Sequence, residues 1–286
     1  MRQNNIILRT LIAAAVITAS YAGLVQLYHP QFDKAPSTAL TNQLYVENYV
    51  CGIPAPTVLA GSSLTQRLPG DVLGAGFQSL ALSGGGALTG VSIAVKSANT
   101  PRRILIEINK IDRGLDDGLI DQTFAEPLYT LRCHVAVLRA AGRPMTYFYG
   151  LLRGRTGGQT VDTAPALNAG QIRDVTADTA HNDSVLLPRD ILANDVKKLV
   201  ALVTAARARG IEPVLYEMPV EPNLTFYPRP AQSRAAVLLA LPPSQICWLD
   251  MRLPGGAHTF DGEHLEAADS IALAKMLRAG PPCRKD

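Results

Sequence analysis

The sequence predicts an α/β protein, a three-layer α/β/α sandwich around a five-stranded parallel sheet, preceded by one N-terminal transmembrane helix. Three observations predict it. Short apolar runs rich in β-branched residues recur at 57–60, 77–82, 104–108, 213–216 and 246–249. They are continuous rather than alternating, as strands buried on both faces of a parallel sheet are. Helix-like stretches separate several of them, which implies right-handed crossovers. Ahead of all these, Arg2 and Arg9 precede an uncharged, mostly apolar run at 10–28, close to the ~20 residues a spanning helix needs.

Taken in order, the elements begin with that run. Charge before it and none within it predicts a cytoplasmic N-terminus, with everything after Tyr28 on the far side of an inner membrane, in the periplasm. A cleaved signal peptide is the alternative, because Ser20-Tyr21-Ala22 puts small residues where signal peptidase reads. Residues 29–50, with Pro30 and Pro36, read as a stalk ending in a short helix near 41–49. One domain is expected over 51–286. Helices are expected within 88–97, over 120–141, 189–209 and 231–241, and at 266–278. The 189–209 helix is clearest: Ile191, Val196, Leu199, Val200 and Val203 recur at spacings of three and four, Lys197, Lys198 and Arg207 take the other face, and Gly210 closes it. Residues 151–188 are rich in Gly, Thr, Asp and Asn and have little periodicity, so they read as an irregular insertion.

Composition narrows the function classes. Of 286 residues 47% are apolar, enough for a sizeable core, and the net charge of +3 comes from scattered Lys and Arg. Without a basic block or interleaved aromatics, no nucleic-acid partner is expected. The four cysteines form no Cys-x-x-Cys pair, which suits disulfides in an oxidising compartment. Three pairings are open. Cys51 precedes the first strand at the amino-terminal edge of the sheet, and the last helix runs back towards that edge, so Cys51–Cys283 is the expected bond, leaving Cys133 and Cys247 outside it.

In a parallel sheet the groups that meet a ligand sit at the carboxyl ends of the strands. Here those ends carry Gly61-Ser62-Ser63, then Ser83-Gly84-Gly85-Gly86, then Asn109; Phe260-Asp261-Gly262-Glu263-His264-Leu265 follows the fifth strand. This set resembles the SGNH or GDSL superfamily of hydrolases and acyltransferases. Its blocks are Gly-Asp-Ser after the first strand, Gly after the second, Asn after the third, and Asp-x-x-His before the last helix. Ser63 takes the nucleophile position, with Ser62 in place of the usual Asp. Gly84 matches the second block, although Ser79 stands where Asn is frequent. Asn109 falls where the third block belongs, without its full Gly-x-Asn-Asp. Asp261 and His264 have the required spacing. The resemblance implies the SGNH-hydrolase, flavodoxin-like form of the sandwich.

These residue types suit acyl transfer. A serine hydroxyl needs a base, and an imidazole, with an ordinary pKa near ~6.5, takes a proton at neutral pH. His264 would be that base, with Asp261 fixing its tautomer. The resemblance assigns the oxyanion hole to the N–H groups of Ser63 and Gly84 and to the Asn109 amide, donors worth roughly 3–4 kcal/mol of barrier each in known cases. Plainer roles compete. Ser63 would serve as a helix N-cap, the glycines as a turn, Asn109 as a cap, and Asp261 and His264 as a turn before a helix. His258 is a rival base without the spacing; His29, His134 and His181 fall in stalk, helix surface and loop. No His-x-His, His-Glu-x-x-His or nearby acidic cluster suggests a metal, and the Gly-rich SGGGALTG lacks the lysine of a phosphate-binding loop. Neither a metal nor a cofactor is expected.

An acyl-serine is captured by water or by another hydroxyl. The tethered, exported layout resembles membrane-anchored SGNH proteins that acylate cell-surface polymers together with a multi-spanning acyltransferase. That resemblance implies O-acetyl transfer to an exported polysaccharide, with a multi-spanning membrane acyltransferase or a polysaccharide synthase as partner. A secreted carbohydrate or lipid esterase is the alternative within catalysis, and a catalytically inactive glycan-binding or scaffold subunit is the alternative outside it.

Overall fold

The computed structural model describes residues 2–28, 30, 32, 35–155, 169–221 and 224–284. In chain order they form α1 (Arg2–Tyr28), α2 (Thr38–Val50), β1 (Thr57–Gly61), α3 (Ser63–Gln66), α4 (Gly70–Leu73), β2 (Phe77–Ala81), α5 (Ala87–Lys96) and β3 (Arg103–Glu107). Next come α6 (Asp117–Phe124), α7 (Leu128–His134), α8 (Pro144–Arg155), α9 (Ala169–Ser184), α10 (Arg189–Ala208), β4 (Glu212–Tyr216), α11 (Pro228–Ala240), β5 (Cys247–Trp248) and α12 (Ala267–Ala279). The chain divides into two compact units, Met1–Gly52 with Thr123–Thr156, and Ile53–Gln122 with Gly157–Asp286.

The second unit holds a five-stranded sheet of order β2-β1-β3-β4-β5, every neighbouring pair parallel. All five apolar runs expected as strands are strands. Both faces of the sheet are covered, which is why the runs do not alternate. On one face Leu59, Leu105, Val214 and Tyr216 share a core with Leu64, Leu73, Leu273 and Leu277 of α3, α4 and α12. On the other, α5 lies so close that a Cβ on Gly90 would stand 2.4 Å from the Leu80 carbonyl oxygen, and α10 packs beside it on β4. In α10 the buried stripe runs through Leu192, Val196, Leu199, Val203 and Ala206, while Ile191, expected on that stripe, is exposed. Because β1 lies between β2 and β3, the chain leaves β1 towards one side of the sheet and later crosses to the other. In open parallel sheets a reversal of this kind is where ligand crevices are found, here at the carboxyl ends of β1 and β3.

Two helical expectations change. The helix expected over 120–141 is broken into α6, α7 and 3-10 turns at Ala136–Leu138 and Ala140–Gly142; Pro127, which has no N–H to donate, stands at the start of α7. The insertion expected to be irregular over 151–188 contains the end of α8 and all of α9, and 156–168 lies outside the described residues.

In the first unit, Asn5–Tyr28 of α1 has a mean hydropathy of 1.7 and is long and apolar enough to cross a membrane. Its last turns are tied down: Val25 is buried, and the Tyr21 hydroxyl donates to Gly142 O at 2.8 Å. The expected stalk ends in a longer packed helix, α2, capped by Ser37, whose Oγ accepts from Leu40 N–H at 3.3 Å. The buried Glu47 carboxylate of α2 accepts from Gln43 Nε2 at 2.8 Å and from Ala140 N–H at 2.5 Å, with Arg132 3.5 Å away. Residues 123–156, expected inside the 51–286 domain, therefore make their core with the N-terminal segment.

The disulfides correct the sequence expectation. Cys51 bonds Cys133, and Cys247 bonds Cys283, with Cα–Cα distances of 4.7 and 5.3 Å; the expected Cys51–Cys283 bond is absent. The reason is the tail. It runs antiparallel past the end of β5, with Asp250 N–H donating to Pro282 O at 3.1 Å and Arg284 N–H to Trp248 O at 2.6 Å, which sets Cys283 against Cys247. Cys51, at the end of α2, meets Cys133 at the end of α7.

Candidate active site

β1 ends in a tight passage into α3. Ser62, fully buried, is the N-cap of α3 and accepts from Leu64 N–H at 3.2 Å. The capping duty is thus met by Ser62. Ser63, the first helical residue, keeps its hydroxyl for another partner. That partner is His264, whose Nε2 lies 2.9 Å from Ser63 Oγ.

His264 is held by the loop ahead of α12. Phe260 N–H donates to His264 O at 3.1 Å and Glu266 N–H to His258 O at 2.9 Å, folding the loop back on itself. Inside it, Asp261 Oδ1 accepts the N–H groups of His264 and Glu263 at 2.7 and 3.1 Å. Its Oδ2 lies 2.6 Å from His264 Nδ1. Burial works to raise the Asp261 carboxyl, yet the bonds from the His264 ring and backbone and from Glu263 hold it below its ordinary value. A carboxylate at Nδ1 fixes the proton there, so Nε2 is bare and accepts the Ser63 hydroxyl hydrogen. The Phe260 ring stacks on the imidazole, 5.7 Å between centroids at 15°, and the Arg67 guanidinium sits 4.9 Å from the Phe260 centroid, a cation–π arrangement.

The remaining expected residues occupy flanking strand ends. Gly84 lies exposed in the turn after β2 at φ +77°, a conformation costly for a residue with a Cβ. Asn109 follows β3 and clasps the segment after β4: its Nδ2 donates to Met218 O at 2.9 Å and its Oδ1 accepts from Met218 N–H at 2.7 Å. One of the two Nδ2 hydrogens is thereby committed. The rival His258 pairs instead with Asp269, Nδ1 to Oδ2 at 3.0 Å, and is largely exposed. His134 and His181 are exposed, and His29 lies outside the described residues.

Sequence reasoning missed the group beneath Ser63. Glu107, 1% exposed at the end of β3, accepts from Ser62 N–H at 2.9 Å, Ser62 Oγ at 2.7 Å and Thr65 Oγ1 at 2.6 Å. Thr65 has one hydrogen and gives it to Glu107, so the Tyr216 hydroxyl, 2.6 Å from Thr65 Oγ1, is the donor in that contact. Burial first, then the Glu107 charge, pushes the Tyr216 hydroxyl well above its ordinary value. Gly61 is required because a Cβ there would stand 2.5 Å from Glu107 Oε2. The available signal was a carboxylate inside the apolar run ILIEIN, since a buried acid needs partners.

Compared with protein-family models, curated proteins and solved structures, the chain matches none.

Proposed function

We propose that this protein is an SGNH-type serine acyl-transfer enzyme, tethered by α1 and working on the extracytoplasmic side of the membrane. Ser63 takes an acyl group, acetyl in the simplest case, and passes it to a hydroxyl of an exported polysaccharide. The observation that carries the reading is the hydrogen-bonded series Ser63–His264–Asp261, drawn together across 201 positions at the carboxyl edge of a parallel sheet. Helices on both faces of that sheet and its β2-β1-β3-β4-β5 order support the three-layer, flavodoxin-like SGNH architecture. One N-terminal helix of spanning length supports the tether, and a multi-spanning acyltransferase would supply the acyl group.

In the first half-reaction His264 Nε2 takes the Ser63 proton as Oγ attacks the acyl carbon. The ester bond of the donor then breaks, and the leaving oxygen receives that proton. In the second, Nε2 takes a proton from the acceptor hydroxyl, whose oxygen attacks the acyl-serine, and returns it to Ser63 Oγ. The oxygen charge that develops each time is assigned to the N–H groups of Ser63 and Gly84 and to the second Asn109 amide hydrogen.

Fluorophosphonate labelling tests the reading. Wild-type protein is expected to be modified at Ser63 and the Ser63→Ala variant to remain unlabelled; a wild type that resists labelling overturns it. An activated acetyl ester, supplied with and without an oligosaccharide, separates the two captures. Acetyl transfer to the sugar supports the transferase, and acetate release that no acceptor alters assigns an esterase.

A further inference from the structure

The first unit turns apolar side chains outward beside α1. Along α7 and its C-cap, Leu128, Leu131 and Val135 follow at spacings of three and four, and all three are exposed. α8 repeats the pattern with Met145, Phe148 and Leu152, which are 71, 56 and 66% exposed. Such spacing puts each trio on one face of its helix. The buried face of α8 carries Thr146, Tyr147 and Gly150 instead. A helix in contact with water keeps its apolar stripe for the core, so α8 is built the other way round.

Both faces start from the last turns of α1. The Tyr21 hydroxyl donates to Gly142 O, and the Tyr21 ring meets that of Tyr147 edge-on with centroids 5.8 Å apart. The Tyr147 ring lies in turn 5.7 Å from that of Phe148. Gln26 Nε2 donates to His134 O at 3.3 Å, and Ala136 N–H donates to Gln26 Oε1 at 2.8 Å. The end of α7 and the start of α8 are thereby fixed at the level of Tyr21 and Gln26. From Arg9 to Gln26 the helix rises about 25 Å at ~1.5 Å per residue, most of the ~30 Å thickness of a hydrocarbon core. Tyr21 and Gln26 therefore stand near the far boundary of the bilayer, the depth at which tyrosines collect.

We infer that α7 and α8 are a lipid-binding footing, whose two exposed apolar faces sink into the outer leaflet around the exit of α1; the inference rests on reading α1 as a membrane tether. Exposed apolar faces of this kind mark a contact surface, and continuity with the spanning helix assigns this one to lipid. Leu24 and Leu27 of α1 are exposed at the same level. Helices that lie in the interface bury their apolar side about 5–10 Å into the headgroup boundary and are rich in Lys and Arg. Residues 128–155 hold five arginines and no Asp or Glu, a charge that suits anionic headgroups.

Quenching of introduced tryptophans by brominated lipid tests this on the full-length protein, reconstituted in vesicles of phosphatidylethanolamine and phosphatidylglycerol. The native chain has one tryptophan, Trp248, which is fully buried and sets the background. Leu131→Trp, Phe148→Trp and Leu152→Trp replace exposed side chains, and melting curves confirm that each variant is folded. Val16→Trp, at the middle of α1, reports the tether separately. The α7 and α8 tryptophans are expected to lose emission, more with bromine near the headgroups than with bromine near the chain ends. Val16→Trp is expected to show the reverse order. Quenching at Val16→Trp alone, with full emission kept at the other three in both lipids, overturns the inference and leaves the face to a protein partner. Quenching at the other three without Val16→Trp keeps the footing and removes the tether. Full emission at all four sites removes both.

Discussion

Both donors of Ser62, its backbone N–H and its hydroxyl, meet one carboxylate, that of Glu107, at 2.9 and 2.7 Å. Ser63 follows Ser62 directly, so the position of Ser63 Oγ is set by a side chain on a neighbouring strand. Where the SGNH pattern carries an acid in the turn itself, this chain has Ser62 there and an acid at the end of β3.

Glu107→Gln tests that dependence. An amide offers one acceptor oxygen where the carboxylate uses two, so at least one of the Ser62 and Thr65 donors loses its partner. Each stranded donor costs about 1–3 kcal/mol. The expected outcome is a lower urea midpoint together with fluorophosphonate labelling slowed at least tenfold. Labelling at the wild-type rate would show that Ser63 is positioned without Glu107.

His264→Ala and Asp261→Asn separate the two roles proposed for this pair, base and orienter. Removing the imidazole is expected to cost ~10³-fold or more in turnover of an activated ester. In Asp261→Asn the side-chain oxygen still accepts the N–H groups of Glu263 and His264, so the loop persists. The amide nitrogen, however, faces Nδ1 and favours the tautomer with hydrogen on Nε2, which cannot take the serine proton. A loss smaller than that of His264→Ala but above tenfold is expected in steady-state rates. Near-normal turnover of His264→Ala would remove it from the mechanism.

The strands and the Asp261–His264 contact were legible in the sequence because each has a local signature: continuous apolar runs for buried parallel strands, and a spacing of three residues for the pair. What stayed hidden depends on contacts distant in sequence. Glu107 reads as a lone acid until β1 and β3 lie side by side. The Cys51–Cys133 bond follows from the packing of 123–156 with the N-terminal segment, for which no periodic pattern speaks. Helix α9 was missed because its sequence, AGQIRDVTADTAHNDS, has few apolar residues to reveal a period of 3.6.

The disulfide assignment predicts that non-reducing peptide mapping recovers Cys51 with Cys133 and Cys247 with Cys283. Replacing Cys247 and Cys283 together by Ser is expected to lower stability by about 2–4 kcal/mol, since the bond closes a loop that includes α12 and ties the tail to β5. Urea unfolding checks the loss, and recovery of a Cys51–Cys283 peptide would overturn the pairing.

Asp261 also sets the direction of a pH effect. Its folded carboxyl lies below the ordinary value, while in the unfolded chain it titrates near ~3.9. The folded state therefore holds fewer protons at this site between those two values. Its stabilising contribution is complete above about pH 5 and shrinks as pH falls through the ordinary value. It is gone once the pH lies below the folded one. Asp261→Asn removes the titration but keeps the loop bonds to Oδ1. The stability difference between wild type and Asp261→Asn is therefore expected to be largest near pH 7 and to close on acidification below pH 4. Urea midpoints of both proteins at pH 7, 5 and 3 measure it. A gap that stays constant across those points would mean that the Asp261 charge adds nothing to the fold and that its bond to the imidazole serves orientation alone.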